Sequence, residues 1–130
     1  GRDVKTMDAI FKRGAYVEWD FMGQAPLPKA NDQRVIDSVY AMIQAGHAAQ
    51  IILSHDVCIQ PQLKENGGGG YTYIHEIILP GLKAKGVSDE VIKTIMETNP
   101  SRVLTFVAPA RPVKQRAATT RSPNQKRSVT

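Results

Sequence analysis

Several features that define other protein classes are scarce or missing in this chain of 130 residues. It has a single cysteine, Cys58, so it cannot form an internal disulfide, and this usage is typical of a reducing compartment. No run approaches the ~18 apolar residues of a membrane span, and no signal-like apolar segment opens the chain. We therefore expect a cytoplasmic protein with no membrane partner.

Acidic residues are missing from residues 107–130, which carry six lysines and arginines. Because these cations exceed the whole net charge of +5, residues 1–106 are close to neutral. The segment is rich in Ala, Pro, Ser and Thr and has no apolar period, so it is predicted to be a disordered tail after a domain at 1–106. Its charge could attract RNA or acidic lipid. It has no aromatic residue to stack on bases, so nucleic acid is not an expected partner.

The length also sets limits. A chain of 130 residues is long enough for one domain with a core. It is too short for a closed eight-unit α/β barrel, which needs roughly 250 residues. The sequence starts with Gly1 rather than Met, and we expect either a processed chain or a piece of a longer protein.

The apolar spacing alternates between the periods of helices and strands. Helices are predicted at 3–13, 32–45, 72–85 and 88–97, and strands at 15–19 and 50–54. Pro80 should kink or interrupt the third helix, 99–104 should form a turn into a last short helix, and the four glycines at 67–70 should be a flexible loop. This order is typical of parallel βαβ units, and exposed edges of two such strands would favour self-association.

The strand at 50–54 ends in three polar residues, Ser54, His55 and Asp56. In a parallel barrel the strand body is apolar and the chemistry lies at its carboxyl end, so Asp56 is a candidate metal or substrate ligand. A strand-end Asp can also simply cap a turn. His55 and Cys58 have a spacing that zinc sites use, but no second ligand pair accompanies them. The glycines lack the Lys-Ser/Thr ending of a phosphate-binding loop.

From Asp3 to Phe106 the chain resembles the C-terminal part of the phosphotriesterase family, including its lactonase and phosphotriesterase-related branches. The strand at 14–20 resembles the penultimate barrel strand of that family. The other matching motifs are Ser54-His55-Asp56, Tyr73-Ile74 through Ile78-Leu79-Pro80, Leu82, Lys85-Gly86-Val87, and Thr98-Asn99-Pro100-Ser101-Arg102-Val103-Leu104.

The resemblance implies a fold and a chemistry. The family consists of metal-dependent hydrolases of the amidohydrolase superfamily on a (βα)8 TIM barrel, so the chain would be an α/β segment: the last two βα units plus the C-terminal helices, an incomplete barrel. Asp56 would be a ligand in a binuclear divalent-metal site, most often zinc, and would take up a proton during attack on an ester, lactone or phosphotriester. Asp20 and His55 would line the pocket for this small-molecule substrate.

The rest of the family's metal site has no counterpart in the sequence. The resemblance requires a His-x-His pair, a bridging lysine carboxylate and histidines on two further strands, and this chain has no His-x-His. A catalytic zinc site normally has three protein ligands plus water, whereas the chain offers one. We therefore expect a segment that lacks a complete active site. The alternative is a non-catalytic derivative of the scaffold whose basic tail binds an anionic partner.

Overall fold

The computed structural model describes residues 4–20, 22–23 and 30–106. The predicted tail at 107–130 lies outside these residues. Helix α1 spans Val4–Phe11, strand β1 spans Val17–Trp19, helix α2 spans Ala30–Gln44 and strand β2 spans Ile51–Leu53. The three remaining helices are α3 at Leu79–Ala84, α4 at Asp89–Lys93 and α5 at Asn99–Leu104.

The two strands confirm the predicted parallel pairing. Val17 pairs with Ile51 and Trp19 pairs with Leu53, which places the carboxyl ends of β1 and β2 side by side. The amide of Ser54 donates to the carbonyl of Trp19 at 2.9 Å and extends the ladder one step beyond β2. Whatever follows Trp19 and Leu53 therefore lies at one edge of the sheet.

The helical core follows the predicted apolar spacing. Met7 and Phe11 of α1 are buried, whereas Ile10 is 39% exposed. Helix α1 packs against α2 and β1, and α2 packs against α3. Gly14 ends the α1 region with φ of 82°, a conformation that glycine adopts at little cost. Together with both strands and the later helices, α2 forms one apolar core: Ile36, Val39, Met42, Trp19, Ile51, Ile74, Ile78, Leu82 and Ile95.

Both prolines in the later helices are accommodated rather than disruptive. A π-helical turn at Ile74–Ile78 runs directly into α3, and another at Thr94–Thr98 joins α4 to α5. Pro80 and Pro100 stand just after these turns. Proline lacks an amide proton and its ring crowds the preceding turn, and the wider turn absorbs both effects. The predicted short helix at 99–104 is present as α5, but the expected turn into it is absent, because α5 continues directly from the preceding π-helical turn. Pro80 likewise does not interrupt its helix.

The glycine run is packed, which corrects the expectation of a flexible loop. Gly69 and Gly70 are buried, and the amide of Gly69 donates to the carbonyl of Gly23 at 2.7 Å. A Cβ on Gly68 would lie 2.2 Å from the backbone carbonyl oxygen of Gln62. The run thus allows two backbone segments to approach more closely than any side chain would permit.

The amino end of β2 is tied to helices on both sides. The side-chain amide of Gln50 donates to the carbonyls of Phe11 and Ala15 at 2.9 and 2.8 Å. The amide of Asn99, which is fully buried, donates to the carbonyls of Ala48 and Ile51 at 2.8 Å each. These bonds hold the amino end of β2 against α1 on one side and α5 on the other. Within the described residues no helix is long and apolar enough to cross a membrane.

Candidate functional site at the carboxyl ends of the strands

The predicted site residues Asp20, His55 and Asp56 gather at one edge of the sheet. Asp20 directly follows β1, and Ser54, His55 and Asp56 directly follow β2. Asp20 and His55 are half-buried, whereas Asp56 is exposed. The parallel register of β1 and β2 places both strand ends at the same edge.

Asp56 adopts a backbone conformation that is uncommon for residues other than glycine. Its φ is 53°. Among the described residues, every other residue with a positive φ is a glycine. Such a conformation costs of order 1–3 kcal/mol and persists only where the surroundings hold it. Aspartate tolerates it better than most residues. The turn directs the chain away from β2 within a single residue.

His55 bonds across to the next helical element. Its Nε2 atom accepts a hydrogen bond from the amide of Ile74, with a donor–acceptor distance of 3.1 Å. Burial lowers the pKa of His55, and the neighbouring His75 lowers it further. The ring is therefore neutral near pH 7 with its proton on Nδ1, which is the form that can accept at Nε2.

The segment after Asp56 is held by a buried glutamine. The Oε1 atom of Gln62 accepts from the amides of Cys58 and Ile59 at 2.6 and 3.0 Å, and Gln62 is only 5% exposed. The sequence reasoning missed this residue. The nearby glycine run was the only available signal, because glycines often mark a close backbone approach.

Tyr73 links the glycine run to α2. Its hydroxyl donates to Oδ2 of Asp32 at 2.6 Å, and its ring packs over Gly23 and Gly69. Burial and this bond to a carboxylate raise the pKa of Tyr73 to about 12. Asp32 lies in the first turn of α2, so the bond from Tyr73 joins the glycine run to the start of that helix.

The described residues do not form a metal centre by themselves. No group of three or more His, Cys, Asp or Glu side chains among them is placed to hold an ion. Cys58 is exposed and belongs to no such group in this part of the chain. At this sheet edge Asp56 is one carboxylate suited to a divalent ion, and a catalytic zinc site needs more ligands than it supplies.

Comparison with known proteins agrees with this architecture of parallel strands joined through helices. This chain superimposes on solved structures of the phosphotriesterase family over about a third of their length. The phosphotriesterase homology protein from Escherichia coli, solved with phosphate in its active site, matches with a TM-score of 0.70 and 28% identity over 78% of this chain and 34% of that one. The phosphotriesterase from Mycobacterium tuberculosis matches with a TM-score of 0.66 and 30% identity over 79% of this chain and 33% of that one.

A model of the phosphotriesterase family matches residues 1–104, and the chain belongs to that family. Among curated relatives, the N-acetyltaurine hydrolase of Dictyostelium discoideum is 31% identical over 81% of this chain and 30% of its own length. A phosphotriesterase-related protein of Nematostella vectensis is 33% identical over 72% of this chain and 29% of its own length. The chain thus spans about a third of the relatives it matches.

Proposed function

We propose that this chain supplies the last strand end of a divalent-metal-dependent hydrolase acting on ester, lactone or phosphotriester bonds, with Asp56 as one metal ligand. The observation that carries the proposal is the left-handed backbone of Asp56, φ 53°, immediately after β2. Strained residues of this kind cluster at functional sites. Membership of a hydrolase family adds the reaction class.

The chemistry of a carboxylate fits this position. Asp56 is exposed at the sheet edge, so its oxygens can reach an ion or a substrate. Zinc and related ions bind carboxylate oxygens, and when bound they polarise the scissile bond and lower the pKa of water. A carboxylate beside the reacting atoms can then accept a proton. Asp20, at the end of the adjacent strand, would line the same pocket with His55.

The remaining ligands lie outside the described residues in this proposal. A single carboxylate cannot retain a zinc ion against water, so the isolated chain should bind zinc no more tightly than a surface carboxylate does. Metal-dependent turnover by the isolated 130-residue chain would contradict the proposal that ligands from elsewhere complete the site. A continuous upstream reading frame with His-x-His about 250 residues earlier would support it.

The test is a hybrid in which residues 1–104 replace the matching third of the Dictyostelium N-acetyltaurine hydrolase. Hydrolysis of N-acetyltaurine and of ester, lactone and phosphotriester substrates would be measured with and without zinc. Asp56→Asn should lower kcat about 10²–10⁴-fold, because asparagine keeps the size but loses the charge and the proton acceptor. Glu65→Gln, an exposed carboxylate on the following loop, is the matched control and should have no effect.

Full activity of the Asp56→Asn hybrid would remove Asp56 from the mechanism. A well-folded hybrid without metal-dependent turnover would favour the alternative, a non-catalytic protein derived from the scaffold. Equal loss in Asp56→Asn and Glu65→Gln would show a general charge effect rather than a ligand.

A further inference from the structure

The strained backbone of Asp56 stands between two anchored points of the chain. On the upstream side, Ser54 is bonded to the carbonyl of Trp19, and Nε2 of His55 accepts from the amide of Ile74. On the downstream side, the amides of Cys58 and Ile59 donate to a single buried oxygen, Oε1 of Gln62. Only Asp56 and Val57 separate the two anchors.

We propose that His55 and Gln62 are positioning residues that hold Asp56 in its left-handed conformation and so aim its carboxylate into the site. This inference rests on the proposed function for its catalytic consequence but not for its structural part. A positive φ persists in a non-glycine residue only when the surrounding contacts over-determine the backbone. The two anchors are contacts of that kind.

The upstream anchor joins the strand end to a helix start. Ile74 lies near the start of the helical segment that follows a 3₁₀ turn at Gly70–Thr72 and continues into α3, and the first amides of a helix have no partner inside it. Satisfying one of them with the imidazole of His55 stabilises the helix start and fixes the ring. Because the ring belongs to the residue before Asp56, its orientation constrains the peptide that enters the turn.

The downstream anchor is Gln62, which is buried and closely packed. Its side chain is 5% exposed, and Gly68 lies so close to its backbone that a Cβ there would be 2.2 Å from its carbonyl oxygen. A single oxygen that accepts from Cys58 and Ile59 at once defines the direction of the chain leaving the turn. The glycine run therefore supports the aspartate through this glutamine.

The structural test uses the labelled 130-residue chain and NMR. A strong intraresidue contact between the amide proton and Hα of Asp56 marks its positive φ. His55→Leu, which keeps the bulk and removes the acceptor, should weaken that contact and speed exchange of the Ile74 amide up to about tenfold, the factor expected for one ordinary hydrogen bond. His55→Gln places an oxygen near the position of Nε2 and should restore both signals.

The catalytic test uses the hybrid enzyme described above. His55→Leu should lower kcat about 10–100-fold with KM little changed, as is typical when a partner that orients a ligand is lost. His55→Gln should recover most of the loss. His75→Gln is the control, because His75 is exposed on the turn beside Ile74 and its side chain is not the acceptor in this bond.

Three outcomes would decide against the inference. Unchanged Asp56 and Ile74 signals in His55→Leu would overturn it, and so would equal losses of kcat in His55→Leu and His55→Gln. If His55→Leu fails to fold, Gln62→Met probes the downstream anchor with the same NMR contact, and an unchanged contact there also overturns it. A wild-type hybrid without metal-dependent turnover refutes the proposed function alone, since the NMR measurement still decides the positioning.

Discussion

Replacing Asn99 should reveal how strongly the amino end of β2 depends on one buried amide. Its Nδ2 atom donates to the carbonyls of Ala48 and Ile51 at 2.8 Å each, and the side chain has no exposure. Asn99→Ala removes both bonds. The carbonyl of Ala48 keeps the amide of Ile51 as a donor, so the larger penalty falls on the carbonyl of Ile51.

The size of the effect follows from these partners. A buried acceptor left without a donor costs about 1–3 kcal/mol, and the second hydrogen bond contributes about 0.5–1.5 kcal/mol. Oδ1 of Asn99 is a buried oxygen with no hydrogen-bond partner among the described residues, and its removal offsets part of this loss of stability. The net loss in the free energy of unfolding should be about 2–3 kcal/mol. Asn99→Asp should cost more at pH 7, because it buries an unpaired charge facing two carbonyls.

The assay is urea unfolding followed by the fluorescence of Trp19, the single tryptophan, which is 2% exposed. Asn66→Ala is the control. The amide of Asn66 donates to the carbonyl of Gln60 at the same distance of 2.8 Å, but at the surface, so the loss should stay within about 0.5 kcal/mol. Equal losses for Asn99→Ala and Asn66→Ala would refute the argument from burial.

Two further predictions concern the glycine run and the tyrosine beside it. Gly68→Ala should lower the free energy of unfolding by about 1–3 kcal/mol, because the new Cβ meets the backbone of Gln62; Gly67→Asn, at φ 88° with open space around it, should be nearly neutral in the same urea titration. Tyr73 has its pKa raised to about 12 in the folded chain against about 10 when unfolded, so its contribution is complete below pH 10 and is lost as pH rises to 12. The stability of the wild type should therefore fall more steeply over pH 10–12 than that of Tyr73→Phe, and parallel curves would refute the raised pKa that burial and the bond to Asp32 produce.

The strands and their direction could be predicted because the signals are local. The run from Ile51 to Leu53 is apolar, begins with two β-branched residues and is followed by polar residues. A helix of clear apolar period precedes it. The position of Asp56 at a strand end follows from the same pattern. The conformation of Asp56 does not, because the bonds that flank it, from His55 to Ile74 and from Cys58 to Gln62, have no signature in the sequence.

The helices that contain proline could be predicted in position but not in detail. A proline normally ends or kinks a helix, so the sequence predicted a kink or interruption at Pro80 and a turn before the short helix at 99–104. The structure instead has a widened turn before each proline, one packed against α2 and the other against β2, and these contacts cannot be read from the local residues. The glycine run is similar, since only its distant neighbours show that it is packed.

The two ends of β2 are built for different purposes. At the amino end, Gln50 and Asn99 use neutral amides to satisfy backbone carbonyls, which stabilises the fold. At the carboxyl end, the bond between His55 and Ile74 offsets the unfavourable backbone conformation of Asp56. In our proposal this bond orients the carboxylate of Asp56. A substitution at Asn99 should therefore reduce stability alone, whereas one at His55 should reduce catalysis and also weaken the helix start at Ile74.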